Sequence, residues 1–175
     1  MIELILGGAR SGKSRLAEQQ AAASGLEVVY IATGQALDAE MRERIHHHQQ
    51  NRPAHWLLVE EPLALARVLL EQAAPGRCLL VDCLTLWMTN LLLDENPERL
   101  SEERQQLLDV LGTLPGQLIL VSNETGLGVV PLGKLSRRYV DETGWLHQEL
   151  ARRCDRVRFC VAGLPMLLKG DPAAN

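Results

Sequence analysis

The chain has 175 residues, 46% of them hydrophobic and 23% charged, proportions that suit one soluble globular domain with its own core. A formal net charge of -4, with almost no runs of Lys or Arg, gives no electrostatic footprint for a nucleic-acid backbone or an anionic membrane, though a small phosphate-bearing ligand needs only a local nest of donors. No basic stretch precedes the opening apolar run and no later run reaches bilayer-spanning length, so a cytoplasmic protein without a membrane span is expected.

Apolar runs suited to buried parallel strands fall at residues 2–6, 28–32, 57–59, 78–81, 118–121 and 157–161. Between them, residues 14–23, 38–50, 62–73, 101–111 and 135–153 combine good helix formers with apolar positions three and four apart. The alternation predicts an α/β fold with a mainly parallel central sheet and helices on both faces. One domain is expected over residues 1–170, with a disordered tail at 171–175. In such sheets the chemistry gathers beyond the carboxyl ends of the strands.

After the first strand, "GGARSGKS" matches G-x-x-x-x-G-K-[ST] in the required context, between a strand and a helix start. Gly7, Gly8, Ala9, Arg10, Ser11, Gly12, Lys13 and Ser14 are therefore predicted to curl so that successive N–H groups converge on phosphate oxygens, with the helix dipole behind them. Lys13 would reach the β- and γ-phosphates, and the Ser14 hydroxyl would ligate Mg²⁺. Arg10 either touches phosphate or points to solvent.

In the next helical segment, "RERIHHHQQNRP" places His46, His47 and His48 in a row. Successive helical residues point about 100° apart, so the three cannot converge on one metal ion. Arg44, His48 and Arg52 do share a face at four-residue spacing, setting an imidazole between two guanidiniums. Nearby cations disfavour the imidazolium and keep a ring nitrogen free for attack, and the same cations can hold phosphate oxygens. On these residues alone a solvated polar helix end and a phosphoryl or nucleotidyl acceptor are both open.

The fourth strand closes on Asp82, a candidate Mg²⁺ carboxylate whose alternative role is to cap the helix that follows. The fifth runs into "SNETGLGVVP", where Asn123 and Glu124 lead a loop that either contacts substrate or metal or is merely glycine-rich. No N-K-x-D guanine-reading motif occurs. Cys78, Cys83, Cys154 and Cys160 lack C-x-x-C spacing and read as buried thiols. Trp56, Trp87 and Trp145 read as packing residues, and Arg137 with Arg138 as a solvated helix face.

Taken in order, "GGARSGKS", "YIATGQALDAEMRERIHHHQQNRPAHW", "DCLTLWMTNLL", "SNETGLGVVP" and the closing "VAGLP" resemble the bifunctional adenosylcobinamide kinase/adenosylcobinamide-phosphate guanylyltransferases of cobalamin biosynthesis. The resemblance covers nearly the whole chain and implies a RecA-like P-loop NTPase fold and a homotrimer. It implies phosphorylation of adenosylcobinamide by a nucleoside triphosphate, GTP or ATP. Transfer of GMP from GTP to adenosylcobinamide-phosphate then gives adenosylcobinamide-GDP and pyrophosphate. The second step would pass through a covalent GMP–histidine. In the family pattern R-I-x-x-H-x-x-x-R-P that histidine falls on His48, with His47 one residue away as a rival.

The same resemblance puts Thr33, Gly34, Gln35, Arg52 and Glu60 at GTP-contacting positions, and Asp82 where related enzymes can carry Glu. Glu61 beside Glu60 leaves open which carboxylate reads the guanine edge. His147 departs from an expected Asn. Two other readings compete: a plain P-loop kinase with no covalent step, and a nucleotide-dependent switch, against which the missing N-K-x-D counts.

Overall fold

The computed structural model describes residues 1–35 and 53–171. The helix expected at 38–50, together with Arg44, His46, His47, His48 and Arg52, lies outside the described residues, as do the last four positions of the expected tail.

In chain order the elements are β1 (Ile2–Gly7), α1 (Lys13–Ala23), β2 (Glu27–Ala32), β3 (Leu57–Glu60), α2 (Leu65–Gln72), β4 (Arg77–Asp82), α3 (Leu84–Leu92), α4 (Arg99–Val110), a 3-10 turn (Leu111–Thr113), β5 (Gln117–Asn123), α5 (Lys134–Arg153), β6 (Arg156–Val161) and β7 (Leu164–Lys169). They build one seven-stranded sheet in the order β3-β2-β4-β5-β1-β6-β7, parallel throughout except for the β6–β7 pair.

The central strands are apolar on both sides because both faces are covered. On one face Leu4, Val29, Leu79 and Leu120 meet Leu69 of α2, Trp87 of α3, Leu107 of α4 and Leu146 of α5. On the other, Ile5, Tyr30, Leu80 and Val121 meet Ala17 and Ala21 of α1 and the Trp56 ring. Each fully buried Leu or Ile contributes about 1.5–3 kcal/mol relative to its exposed state. Two buried charges break the pattern: Glu3 on β1 and Arg156 on β6 lie 3.8 Å apart, with Arg158 of β6 3.2 Å from Glu3. Burial raises the Glu3 pKa against the pull of Arg158 and then Arg156. The pairing ties the strand that enters the P-loop to its neighbour.

The structure adds two elements to those expected. Helix α3, "LTLWMTNLL", buries Leu84, Trp87, Met88 and Leu91 on one face, but Leu86 and Leu92 off that face blur the period in the sequence. Strand β7 follows a two-residue turn of Ala162 and Gly163, with φ 51° and 80°, the left-handed pair that a tight hairpin demands. Its Pro165 fits because β7 is the sheet edge. Among the described residues no helix is long and apolar enough to cross a membrane.

Candidate active site

The P-loop starts where a side chain has no room. A Cβ on Gly7 would sit 2.5 Å from Ser11 Oγ and 2.7 Å from the Cys160 carbonyl oxygen, so the chain can fold back there only as glycine. Ser11 N–H donates to the Gly8 carbonyl at 3.3 Å, and the Ser11 carbonyl accepts from Gly163 N–H at 2.9 Å, which fastens the loop to the β6–β7 turn. Gly12, at φ 92°, opens α1 without a side-chain cap. The first-turn N–H groups of α1, including those of Lys13 and Ser14, therefore stand without helical partners and point at whatever lies above the loop. Lys13 Nζ donates to the Gly8 carbonyl at 3.1 Å, folded over the cradle. Arg10 and Ala9 are exposed, and Arg10 adopts φ 55°. Among the described residues the buried Ser11 hydroxyl has no hydrogen-bond partner.

Asp82 ends β4, and the Tyr30 hydroxyl donates to it from β2, on the sheet face that α1 covers. Burial first, then the Asp82 charge, raises the Tyr30 pKa, so the phenol keeps its proton and steadies the carboxylate. Ser14 and Asp82 could hold a cation together. One hydroxyl and one carboxylate suit a small hard ion that takes its remaining ligands from water and substrate phosphates. Among the described residues there is no group of three or more His, Cys, Asp and Glu able to form a cage of its own.

Thr33, expected at a GTP-contacting position, is fully buried with its hydroxyl committed twice: it donates to the Cys83 carbonyl at 2.6 Å and accepts from Cys83 N–H at 3.1 Å. Its own carbonyl accepts from Asn90 Nδ2 at 2.8 Å. Thr33 thus clamps the end of β2 to the start of α3, while Gly34 is half-buried and Gln35 exposed. Glu60 and Glu61 separate cleanly. Glu61 Oε1 accepts from the N–H groups of Leu63 and Ala64, both at 2.9 Å, and Oε2 pairs with Arg67 at 2.6 Å. These hydrogen bonds and Arg67 lower its pKa against a raising contribution from burial. Glu60, exposed at the end of β3, has no such partner among the described residues.

At the end of β5, Asn123 N–H donates to Thr85 Oγ1 at 2.7 Å and Glu124 N–H donates to the Gly7 carbonyl at 3.1 Å, joining this strand end to the P-loop. His147 of α5 is buried, with Nε2 2.8 Å from Ser122 Oγ and Nδ1 3.7 Å from Glu124 Oε2. Burial lowers its pKa, opposed by the Glu124 charge. Beside them Thr89, Leu93, Thr125, Pro131 and Tyr139 line an apolar cavity of about 350 Å³.

The structure thus gathers the P-loop, Asp82 and Glu124 along one strand edge, with Glu60 farther out. His48 and Arg52 lie outside the described residues. Tyr30, Thr85 and Ser122 were not singled out from sequence; each is a lone hydroxyl in or beside an apolar run, and nothing local marks it. Trp56 and Trp87 are packing residues, the latter donating from Nε1 to the Leu63 carbonyl at 2.7 Å, whereas Trp145 is exposed. Cys78, Cys154 and Cys160 are buried and Cys83 partly so; burial pushes the Cys83 thiol up to about 11. The Arg137 guanidinium donates to the Pro131 and Leu132 carbonyls, so it closes a loop, while Arg138 is exposed.

The model of the cobinamide kinase / cobinamide phosphate guanyltransferase family matches residues 3–168. The chain is 70% identical to the bifunctional adenosylcobalamin biosynthesis protein CobP of Pseudomonas aeruginosa over 172 residues, covering 98% of this chain and 99% of that one. It is 38% identical to the bifunctional adenosylcobalamin biosynthesis protein CobU of Escherichia coli over 182 aligned residues, 97% of this chain and 100% of the relative. Among solved structures, a KaiC-like protein of Pyrococcus horikoshii aligns with a TM-score of 0.51 at 17% identity, over 90% of this chain and 69% of that one. That likeness establishes the P-loop NTPase fold and nothing finer.

The buried His147 yields a pH prediction. Its folded pKa lies below the ordinary 6.5, so the unfolded chain binds the extra proton first as pH falls. Its contribution to stability is full above about 6.5 and is lost as pH drops from there through the lower folded value. Urea unfolding across that window should show stability rising with pH, with the slope reduced in His147→Asn; an identical slope in the variant would contradict the assignment.

Proposed function

The chain belongs to the cobinamide kinase / cobinamide phosphate guanyltransferase family, and on that premise we propose that one P-loop serves both reactions and that in the second His48 carries GMP from GTP to adenosylcobinamide-phosphate. The protein is a bifunctional enzyme of cobalamin biosynthesis, a cobinamide kinase and a cobinamide phosphate guanylyltransferase. The observation that carries the one-cradle proposal is the uncapped start of α1 behind the Gly7 turn, with Lys13 folded over it. The sequence contains a single G-x-x-x-x-G-K-S segment.

The first-turn N–H groups and Lys13 hold the triphosphate of GTP or ATP and balance its charge. Ser14 and Asp82 are the residues to hold Mg²⁺, which when bound neutralises phosphate charge. In the guanylyl step a His48 ring nitrogen bonds to the α-phosphorus of GTP as the bond to pyrophosphate breaks, and Lys13 offsets the negative charge that departs. An oxygen of adenosylcobinamide-phosphate then displaces the imidazole, giving adenosylcobinamide-GDP. Arg44 and Arg52, four residues to either side of His48 in sequence, supply positive charge suited to phosphate. Glu60 is the carboxylate we assign to the guanine N1–H and N2–H₂ edge, supported by Glu61 being spent on the α2 cap and Arg67. Thr33 supports this site by clamping backbone, and Gly34, Gln35 and Arg52 complete the nucleotide side.

A homotrimer is part of the same proposal. The outer strand β7 leaves Leu164 70% and Leu168 58% exposed, apolar surface available to another copy. Sedimentation equilibrium should give three times the chain mass; a monomer at every concentration would remove this part of the reading.

The covalent step is tested by incubating the protein with Mg²⁺ and α-³²P-GTP, denaturing it, and looking for acid-labile, alkali-stable label. Wild type and His47→Ala should carry label and His48→Ala should not. Label retained in His48→Ala and lost in His47→Ala moves the acceptor by one residue. Absence of label in nucleotide-binding wild type would replace the covalent route with direct transfer.

A further inference from the structure

The kinase step has a need that the guanylyl step lacks. An alcohol oxygen must shed a proton as it bonds to phosphorus, whereas an imidazole nitrogen and a phosphate oxygen attack without losing one. We infer that Glu124 takes that proton and that His147 positions it for the task. The inference rests on the family's kinase activity and is independent of the identity of the GMP acceptor.

Strand β5 lies between the P-loop strand and the Asp82 strand, with Asn123 opposite Gly7 and Val121 opposite Asp82. Glu124 is the next residue, so it stands over the edge between cradle and cation site, and its N–H is bonded to the Gly7 carbonyl. One carboxylate oxygen, Oε1, accepts from Gly126 N–H at 2.5 Å. The other, Oε2, faces His147 Nδ1 at 3.7 Å, beyond hydrogen-bond range, so it keeps acceptor capacity, and the side chain is 22% exposed. Of the other carboxylates at this edge, Asp82 receives the Tyr30 hydroxyl on the opposite sheet face, Glu61 caps α2, and Glu60 is three strands away.

His147 is fixed from behind. Its Nε2 meets the Ser122 hydroxyl two residues before Glu124 on the same strand end, which turns Nδ1 toward the carboxylate. Burial favours the neutral ring; with its proton on Nδ1 it directs a dipole at Oε2 without delivering a full charge that would weaken the base. Thr125, the next residue, lines the 350 Å³ cavity between α3 and α5, giving the acceptor an approach on the Glu124 side. In the reaction the acceptor O–H bond breaks toward Oε2 as oxygen bonds to the γ-phosphorus. The nucleoside diphosphate leaves with the electron pair of the broken anhydride, and the carboxyl proton is later released to water.

The enzyme supplies its own control, because the two activities share the cradle and only one needs the base. With the full-length protein, phosphorylation of adenosylcobinamide and guanylyl transfer to supplied adenosylcobinamide-phosphate are measured for wild type, Glu124→Gln and His147→Gln. Glu124→Gln should lower kinase kcat by about 100-fold or more and leave transfer within about threefold. His147→Gln should lower kinase kcat by less and leave the nucleotide KM in place. Kinase activity retained within about threefold in Glu124→Gln, or equal loss of both activities, overturns the assignment. A wild-type protein without kinase activity would defeat the family reading as well.

Discussion

The approach of the last residue of β1 to Ser11 and Cys160, open only to a residue without a Cβ, decides where the chain turns and therefore where α1 begins. Because Gly7 allows the loop to double back, Gly12 can open the helix in a left-handed conformation without a capping side chain, and the helix N-terminus stays available for an anion. The Gly163 N–H bond to Ser11 and the Glu124 N–H bond to Gly7 secure the same turn from two neighbouring strands. The loop is thus held by backbone bonds from outside, and its own donors remain for the ligand.

Strand order converts that local geometry into a reaction site. Placing β5 between β1 and β4 sets the cradle, a carboxylate from the β5 loop and Asp82 side by side, while β3, beyond β2 at the sheet edge, carries Glu60 outward. Both family reactions break an anhydride of a bound triphosphate and differ in which phosphorus is attacked and whether the nucleophile must lose a proton. A single electropositive cradle can serve both, provided the parts that distinguish them stand on separate segments. In this reading those parts are the 42–53 segment for guanylyl transfer and the β5 loop for the kinase.

How much of this was legible follows from the kind of signal each part leaves. The P-loop and the six parallel strands were readable because glycine spacing and apolar runs are local. Helix α3 was not, since Leu86 and Leu92, off its buried face, extend the apolar run and blur its period, and β7 hid behind a hairpin turn whose first residue is Ala rather than the favoured Asn or Asp. At the site, Glu60 and Glu61 are indistinguishable side by side in sequence and are separated only by the α2 cap. Thr33 was placed by the resemblance alone, and the commitment of its hydroxyl to Cys83, fifty residues away, is not legible in the sequence. His147 stood out as a departure, and its meaning required Ser122 and Glu124 to be brought beside it by the packing of α5 on the sheet.

The claim on which the account turns is that one nucleotide cradle performs both transfers. It is tested most directly with a GTP analogue bearing methylene bridges in place of both anhydride oxygens, assayed as an inhibitor of each activity. The account predicts competition with the nucleotide in both assays and one inhibition constant, agreeing within about twofold. Non-competitive inhibition in either assay, or constants differing by more than about tenfold, a 1.4 kcal/mol difference in binding, would mean two separate nucleotide sites and contradict it.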